Sequence, residues 1–299
     1  MSSPPRSAAP PAPGPSRQAA AHLPPHTSIA HALQSATGAL ATAGVDSPRL
    51  DAELLLGHVL GVGRERLLLD RDLAVPRSGV QAYQDAVRRR AADREPVAYI
   101  TGRRAFRHLE LRVDRRALIP RPETEGLVEA ALALPEGASV LDVGTGCGAV
   151  ALALAQERPD LRISASDVSV EALSLARENG RRLGLAVQWL SGDLLDGLPD
   201  RHRAIVANLP YVAPGELAGL TAEIVRHEPR RALLAHDDGL ALIARLLAQA
   251  GPRAVEMVAL EVGSGQFDRA SIHARRAGFG RVRSEPDLAG IERVLVAER

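Results

Sequence analysis

Val140-Leu141-Asp142-Val143-Gly144-Thr145-Gly146-Cys147-Gly148 is the stretch on which the fold turns. Its first four residues read as a short buried strand of the parallel-sheet kind, apolar but for Asp142. Glycines follow at once, and a helical pattern runs on over about 148–157. Glycine permits a tight turn and lets a ligand approach the backbone closely. Taken alone, such a loop can simply close a strand–helix unit. It does not fit the dinucleotide-binding pattern cleanly, and no lysine follows it, so a P-loop is excluded.

Downstream, Leu161-Arg162-Ile163-Ser164-Ala165-Ser166 predicts a second strand and residues 169–183 a second helix. Strands near 186–190, 203–207 and 255–262 continue the series, and a pair near 280–284 and 292–297 closes it. Strands alternating with helices imply an α/β fold, a mostly parallel sheet covered on both faces. Ligands of such sheets sit at the carboxyl ends of the strands, near the topological switch.

Upstream the period changes. From Thr27 to about Ala92 the pattern is helical, with Ile29, Leu33 and Leu40 at helical spacing. Asp46-Ser47-Pro48 offers a helix start, and Leu50, Leu54, Leu55 and Val59 are expected to form one apolar stripe before Gly61. A further helix is expected over Ser78–Ala92. These helices predict a small bundle over 27–95 that recruits substrate, with no metal-ligating cluster. Over 97–119, Phe106, Leu109, Leu111 and Val113 read as a short strand pair, so 96–120 is assigned as a hairpin linker before a catalytic domain over 121–299. Residues 1–26 are rich in Pro, Ala and Ser and read as a disordered tail.

Composition narrows the function classes. The 299 residues carry a net charge of +1, so no strong field draws in nucleic acid. Every basic residue besides histidine is arginine, and the single cysteine, Cys147, can form no internal disulfide. That fits a reducing compartment, and a cytoplasmic location is expected. No apolar run reaches the roughly 18 residues a membrane span needs.

Acids at successive strand ends sharpen the glycine loop. Asp142 stands two residues before it, Asp167 ends the next strand, and Asp193 follows the third. A carboxylate at the second strand end can accept hydrogen bonds from both ribose hydroxyls of a nucleoside. Asp193 is placed to reach an adenine edge. S-adenosylmethionine carries a sulfonium and an amino-acid end but no phosphate, and a glycine turn ringed by acids suits it better than a dinucleotide. Cys147 reads as a small packed side chain.

Asn208-Leu209-Pro210-Tyr211, after the fourth strand, carries the reaction class. An amide or aromatic amino nitrogen has a delocalised lone pair and two N–H donors. The Asn208 side-chain oxygen and the Leu209 backbone carbonyl can grip both donors, so that the nitrogen pyramidalises toward a methyl carbon. Pro210 stiffens the turn, and Tyr211 offers its ring to a flat substrate group. No strong base is needed; acceleration comes from positioning and preorganised polar contacts.

With these residues in place, the chain from about 27 to 298 resembles the glutamine-N5 methyltransferases of peptide-chain release factors. Beyond the glycine loop the resemblance rests on several runs. Arg49-Leu50-Asp51-Ala52-Glu53-Leu54-Leu55-Leu56 is similar to the family's helical domain, and Glu95-Pro96-Val97-Ala98-Tyr99-Ile100-Thr101-Gly102 to its domain junction. Leu118-Ile119-Pro120-Arg121-Pro122-Glu123-Thr124-Glu125 is the most family-specific run. Glu228-Pro229 with Ala232-Leu233, and Asp287-Leu288-Ala289-Gly290 with Arg293-Val294, resemble later segments.

The resemblance implies a seven-stranded Rossmann-like S-adenosylmethionine-dependent methyltransferase domain, a small N-terminal helical bundle and a linking β-hairpin. It implies that the substrate is the glutamine of the Gly-Gly-Gln motif in class I release factors; a monomer with no stable nucleic-acid binding and no membrane association is expected. The expected cofactor set is Asp142, Gly144, Thr145, Gly146, Cys147, Gly148, Asp167, Asp193 and Leu194, with Asn208 at its edge. Asn208, Leu209, Pro210 and Tyr211 are expected to hold the glutamine and do the catalytic work. Arg121 and Glu123 can either shape the glutamine pocket or pair with each other or with solvent, and the structural role is favoured. The family's usual tetrapeptide has proline where this chain has Leu209, and the leucine form also resembles adenine-N6 methyltransferases of ribosomal RNA. An adenine-N6 enzyme acting on RNA or DNA therefore stays as the alternative. It would need basic clusters and stacking platforms, whereas the arginine clusters have acids nearby and aromatic residues are only 2% of the chain.

Overall fold

The computed structural model describes residues 27–235 and 238–299, so the tail expected over 1–26 lies outside the described residues. The chain forms two compact units that meet in sequence at Thr101 and Gly102.

In the first unit, helices α1 (Ile29–Thr42), α2 (Pro48–Leu60), α3 (Arg64–Leu69), α4 (Arg77–Ala92) and α5 (Val97–Thr101) enclose Leu33, Leu40, Leu55, Leu56, Tyr83 and Val87. Ser28 caps α1 by accepting from the His31 amide at 3.3 Å. Pro48 opens α2 and Gly61 closes it in the left-handed region at φ 68°. The expected α2 stripe is corrected. Leu50 and Leu54 are exposed, while Asp51, Ala52, Glu53, Leu55 and Leu56 are buried. Ion pairs account for the acids inside: Arg90 Nε meets Asp51 at 2.7 Å, and Arg49 and Arg64 bracket Glu53 at 2.5 and 2.7 Å. Removing Arg90 alone would strand a buried carboxylate, at a cost of about 3–5 kcal/mol. Ser47 precedes Pro48 but makes no side-chain cap.

The second unit opens with the hairpin β1 (Arg103–Phe106) and β2 (Leu109–Arg112), which buries Phe106, Leu109 and Leu111. The change of period therefore begins later than the sequence suggested. Residues 97–101 are a helical turn in which the Thr101 hydroxyl donates back to the Val97 carbonyl at 3.0 Å.

A short 3-10 turn at Pro122–Thr124 leads into α6 (Glu125–Leu132). Then follow β3 (Ser139–Val143), α7 (Ala149–Glu157), β4 (Arg162–Asp167), α8 (Val170–Leu183), β5 (Gln188–Ser191) and β6 (Ala204–Ala207). The chain continues through α9 (Ala222–His227), α10 (Arg230–Leu233), α11 (Ala241–Ala250), β7 (Met257–Glu261), α12 (Phe267–Arg276), β8 (Arg281–Pro286) and β9 (Glu292–Glu298). The sheet runs β5-β4-β3-β6-β7-β9-β8, parallel except for β9, which lies antiparallel to both β7 and β8. Every residue of β3, β6 and β7 is buried, which is why these strands read as continuous apolar runs.

The chain builds outward from β3 to β4 and β5, then returns to place β6 on the other side of β3. The switch point thus lies between β3 and β6. Their carboxyl ends carry the glycine loop and Asn208, so the topology brings the two sequence motifs to one crevice.

Candidate functional site

A cavity at this switch point is lined by Asp142–Cys147, Asp167–Ser169, Gly192–Leu194 and Asn208–Pro210. Parts of 116–124 and 229–232 also line it. Of the residues expected to bind cofactor or substrate, Gly148 and Tyr211 are absent from this lining. Gly148 caps α7 at φ 89°, and a Cβ there would meet Leu152, Trp189 and Ala176 at 3.1–3.3 Å. Its role is close packing of helix on strand. Tyr211 turns its hydroxyl to Glu261.

The glycine-loop wall is held mainly by backbone amides. Gly144 and Thr145 both donate to the Ser166 carbonyl at 2.9 Å, which ties the loop to the end of β4. Asp142 Oδ2 accepts from the Thr145 hydroxyl at 2.7 Å and the Ala151 amide at 3.2 Å. Burial pushes the Asp142 carboxyl up to about 7 against those two donors. Asp167 accepts from the Gly146 amide at 2.9 Å and the Ser169 amide at 2.8 Å. Burial likewise raises its pKa, with these amides opposing. Cys147 is buried and its thiol is pushed up to about 12 by desolvation, which keeps it protonated and inert.

Asn179, fully buried on α8, donates from Nδ2 to the Cys147 and Arg112 carbonyls at 3.0 Å each and accepts from the Arg112 amide at 2.8 Å. It ties the loop to β2. Sequence reading missed it, because an asparagine inside a helical pattern carries no local sign of burial.

Asp193 lines the cavity, with its carboxylate 2.9 Å from Arg245, and Leu194 sits beside it at φ 54°, a conformation uncommon for a leucine. Arg231 reaches over to Ser169 and to Glu171, the latter at 3.0 Å.

On the opposite wall the contacts are between side chains. Asn208 Nδ2 donates to Thr124 Oγ1 at 3.0 Å, and the Thr124 hydroxyl donates to Glu261 Oε2 at 2.6 Å. The Tyr211 hydroxyl donates to Glu261 Oε1 at 3.1 Å. Gln266 Nε2 holds the Tyr211 carbonyl at 3.0 Å. Burial raises the Tyr211 pKa, and the charge of Glu261 adds to this, so the phenol stays protonated. Glu261 went unnoticed in the sequence although it ends β7 just as Asp167 ends β4. The strand-end rule applied to the first three acids would have found it. Arg121 does not pair with Glu123. It bonds Glu228, whose Oε2 also accepts from the Ile119 amide at 3.3 Å, so two of the family-like runs lock together.

Two family patterns match the chain: the PrmC N-terminal domain over residues 31–102 and the methyltransferase small domain over 124–260. The release factor glutamine methyltransferase of Deinococcus radiodurans is 41% identical over 272 residues, covering 89% of this chain and 97% of that protein. That of Moorella thermoacetica is 42% identical over 282 residues, covering 91% and 98%. The chain belongs to the release factor glutamine methyltransferase family. Its sheet is likewise that of the hMettl16 catalytic domain solved in complex with a MAT2A 3'UTR hairpin. That match has a TM-score of 0.51 at 14% identity, covering 63% of this chain and 74% of that one, a likeness of fold alone. As a member of this family the protein is an S-adenosylmethionine-dependent methyltransferase of the seven-stranded Rossmann-like class.

Proposed function

We propose that the protein methylates the side-chain amide nitrogen of the glutamine in the Gly-Gly-Gln motif of class I release factors, with Asn208, Leu209, Pro210 and Tyr211 as the substrate grip. The observation that carries this reading is the single cavity shared by the glycine loop and the Asn208-Leu209-Pro210 turn at the switch point of the sheet.

The residues present suit the cofactor. Gly144 and Gly146 are both at positive φ, and among the described residues the donors to Asp142 meet its Oδ2, not its Oδ1. Asp167 is an acceptor fixed by two amides at the position where a ribose would sit. Gly144, Thr145, Gly146 and Cys147 would form the floor of this pocket, Asp193 and Leu194 its adenine end, and Gly148 would support it from behind. S-adenosylmethionine, when bound, supplies a sulfonium-activated methyl group that leaves with the electron pair going to sulfur as the new N–C bond forms.

The chain's own task is to make a poor nucleophile reactive. The Asn208 side-chain oxygen and Leu209 carbonyl each accept one N–H of the glutamine amide. Nitrogen held by both protons loses conjugation with its carbonyl and turns its lone pair into the cavity, and the proton leaves to solvent afterwards. Positioning of this kind, with preorganised polar contacts, supplies most of the acceleration.

The arginine clusters support weak nucleic-acid affinity. Arg89 pairs with Glu95 at 2.8 Å, Arg90 with Asp51 at 2.7 Å, Arg103 with Glu110 at 3.5 Å and Arg231 with Glu171 at 3.0 Å. Among the described residues no helix is long and apolar enough to cross a membrane. A monomer working in the cytoplasm alongside translation accords with the substrate proposed.

Purified enzyme, methyl-labelled cofactor and release factor, with a short duplex and an RNA in parallel, test the reading. Label is expected in the release factor and absent from a Gly-Gly-Glu variant. Label entering only nucleic acid would overturn it in favour of adenine chemistry.

A further inference from the structure

We infer that Thr124 and Glu261 are positioning residues that fix which end of the Asn208 amide faces the substrate, and so set the preference for an amide nitrogen over a carboxylate; this rests on the substrate reading above. A side-chain amide has two orientations of nearly the same shape, related by exchanging oxygen and nitrogen. Only one is productive here. With Oδ1 toward the cavity, Asn208 accepts a substrate N–H. With Nδ2 toward it, two donors face two donors and the grip is lost.

The choice is made behind Asn208. Ala207 and Leu260 are register partners on β6 and β7, so Asn208, the first residue past β6, comes beside Glu261, the last of β7. Thr124, in the turn before α6, stands between them, 3.0 Å from Asn208 Nδ2 and 2.6 Å from Glu261 Oε2. A carboxylate only accepts, and a threonine hydroxyl has one proton. Glu261 takes the Thr124 proton on one oxygen and the Tyr211 proton on the other. The Thr124 oxygen then has only lone pairs to offer, and the amide must meet it with Nδ2. Oδ1 is left for the cavity.

A neutral group at position 261 would release this constraint, since Thr124 could then accept from that side and donate to Asn208. Thr124 and Glu261 are only 5% and 1% exposed, so water cannot substitute for either bond. Burial, with the charge of Glu123, raises the Glu261 pKa against the two hydroxyl donors and the positive charge of Arg293; the geometry, one hydroxyl on each carboxylate oxygen, is that of a pure acceptor. Glu261 does not line the cavity and acts only through its neighbours.

The test compares the parent with Thr124→Val, Thr124→Ser and Glu261→Gln, measuring cofactor Kd, kcat and KM with release factor, and inhibition by the Gly-Gly-Glu release factor. Thr124→Val keeps the shape and deletes the hydroxyl; Thr124→Ser keeps the hydroxyl. Thr124→Val and Glu261→Gln are expected to lower kcat about 10- to 100-fold, with cofactor Kd within about twofold. In both, Gly-Gly-Glu release factor should inhibit several-fold more tightly, because a flipped amide donates to a carboxylate. Thr124→Ser should stay within about threefold of the parent.

A Thr124→Val enzyme with unchanged kcat and unchanged discrimination would overturn the inference. Cofactor affinity falling in step with kcat would overturn it too, in favour of a purely structural role. A separate readout needs no substrate: slow exchange of the Asn208 side-chain N–H protons in the parent, lost in Thr124→Val. A parent that protects those protons yet leaves release factor unmethylated would sink the substrate reading and uphold the relay. Fast exchange in the parent would sink the relay alone.

Discussion

The two walls of the cavity are built by different means. On the glycine-loop wall, Asp142 and Asp167 accept from the main-chain amides of Ala151, Gly146 and Ser169, with one hydroxyl added. On the other, Asn208 is held by a chain of side chains through Thr124 to Glu261. Backbone amides come with the fold whatever the residue type, so the first wall tolerates substitution away from its acids and its positive-φ glycines. The second depends on particular side chains, each needed to give the next its direction. Cofactor binding should therefore be hard to break except at Asp167 and the loop glycines, and catalysis easy to break from behind.

Four substitutions probe that contrast, in order of falling effect. Asn208→Ala removes the oxygen proposed to accept the substrate amide; kcat should fall about a thousandfold while cofactor Kd, measured by calorimetry, stays within about threefold. A matching loss of cofactor affinity would mean that Asn208 belongs to the first wall. Asp167→Ala should do the reverse, weakening cofactor binding about a hundredfold, as expected for the loss of two hydrogen bonds to a charged acceptor.

Asp142→Asn should act mainly on stability. The folded state raises this carboxyl to about 7 from an ordinary value of 3.8, so it holds a proton there that the unfolded chain has released. Stability from this group is full below the lower value and is lost as pH rises through the upper one. The variant's melting temperature should thus gain on the parent's as pH climbs from about 4 to about 8. A constant difference would show that the shift is absent. The smallest effect is expected for Leu209→Pro, which restores the family's usual residue. The accepting carbonyl survives, and kcat on release factor should stay within about threefold. A gain of activity on nucleic acid in the parent that disappears in this variant would make Leu209 a determinant of substrate class.

Much of the sheet was legible because buried parallel strands cannot hide. Val140–Val143, apolar but for Asp142, and Ala204–Ala207 are short runs between turn signals, and the structure places strands at 139–143 and 204–207. Lateral order was not legible, since the return of the chain from β5 to β6 is set by long-range pairing. In α2 the periodicity misled: Leu50 and Leu54 sit outside, while Asp51 sits inside because Arg90, far along the chain, meets it there. The cavity showed the same division. Its lining acids announced themselves at strand ends, whereas Thr124 and Asn179 act through bonds to residues 84 and 67 positions away. No local window carries that information. Glu261 is the exception, a strand-end acid in plain view.

The lone thiol offers a use beyond its packing. Cys147 sits in the middle of the glycine loop, buried, with its pKa pushed to about 12, and no other cysteine competes with it. A thiol-specific dye can reach it only when that loop opens. The labelling rate of the unmodified protein therefore serves as a clock for loop opening, slowed by whatever occupies the cavity and needing no engineered probe.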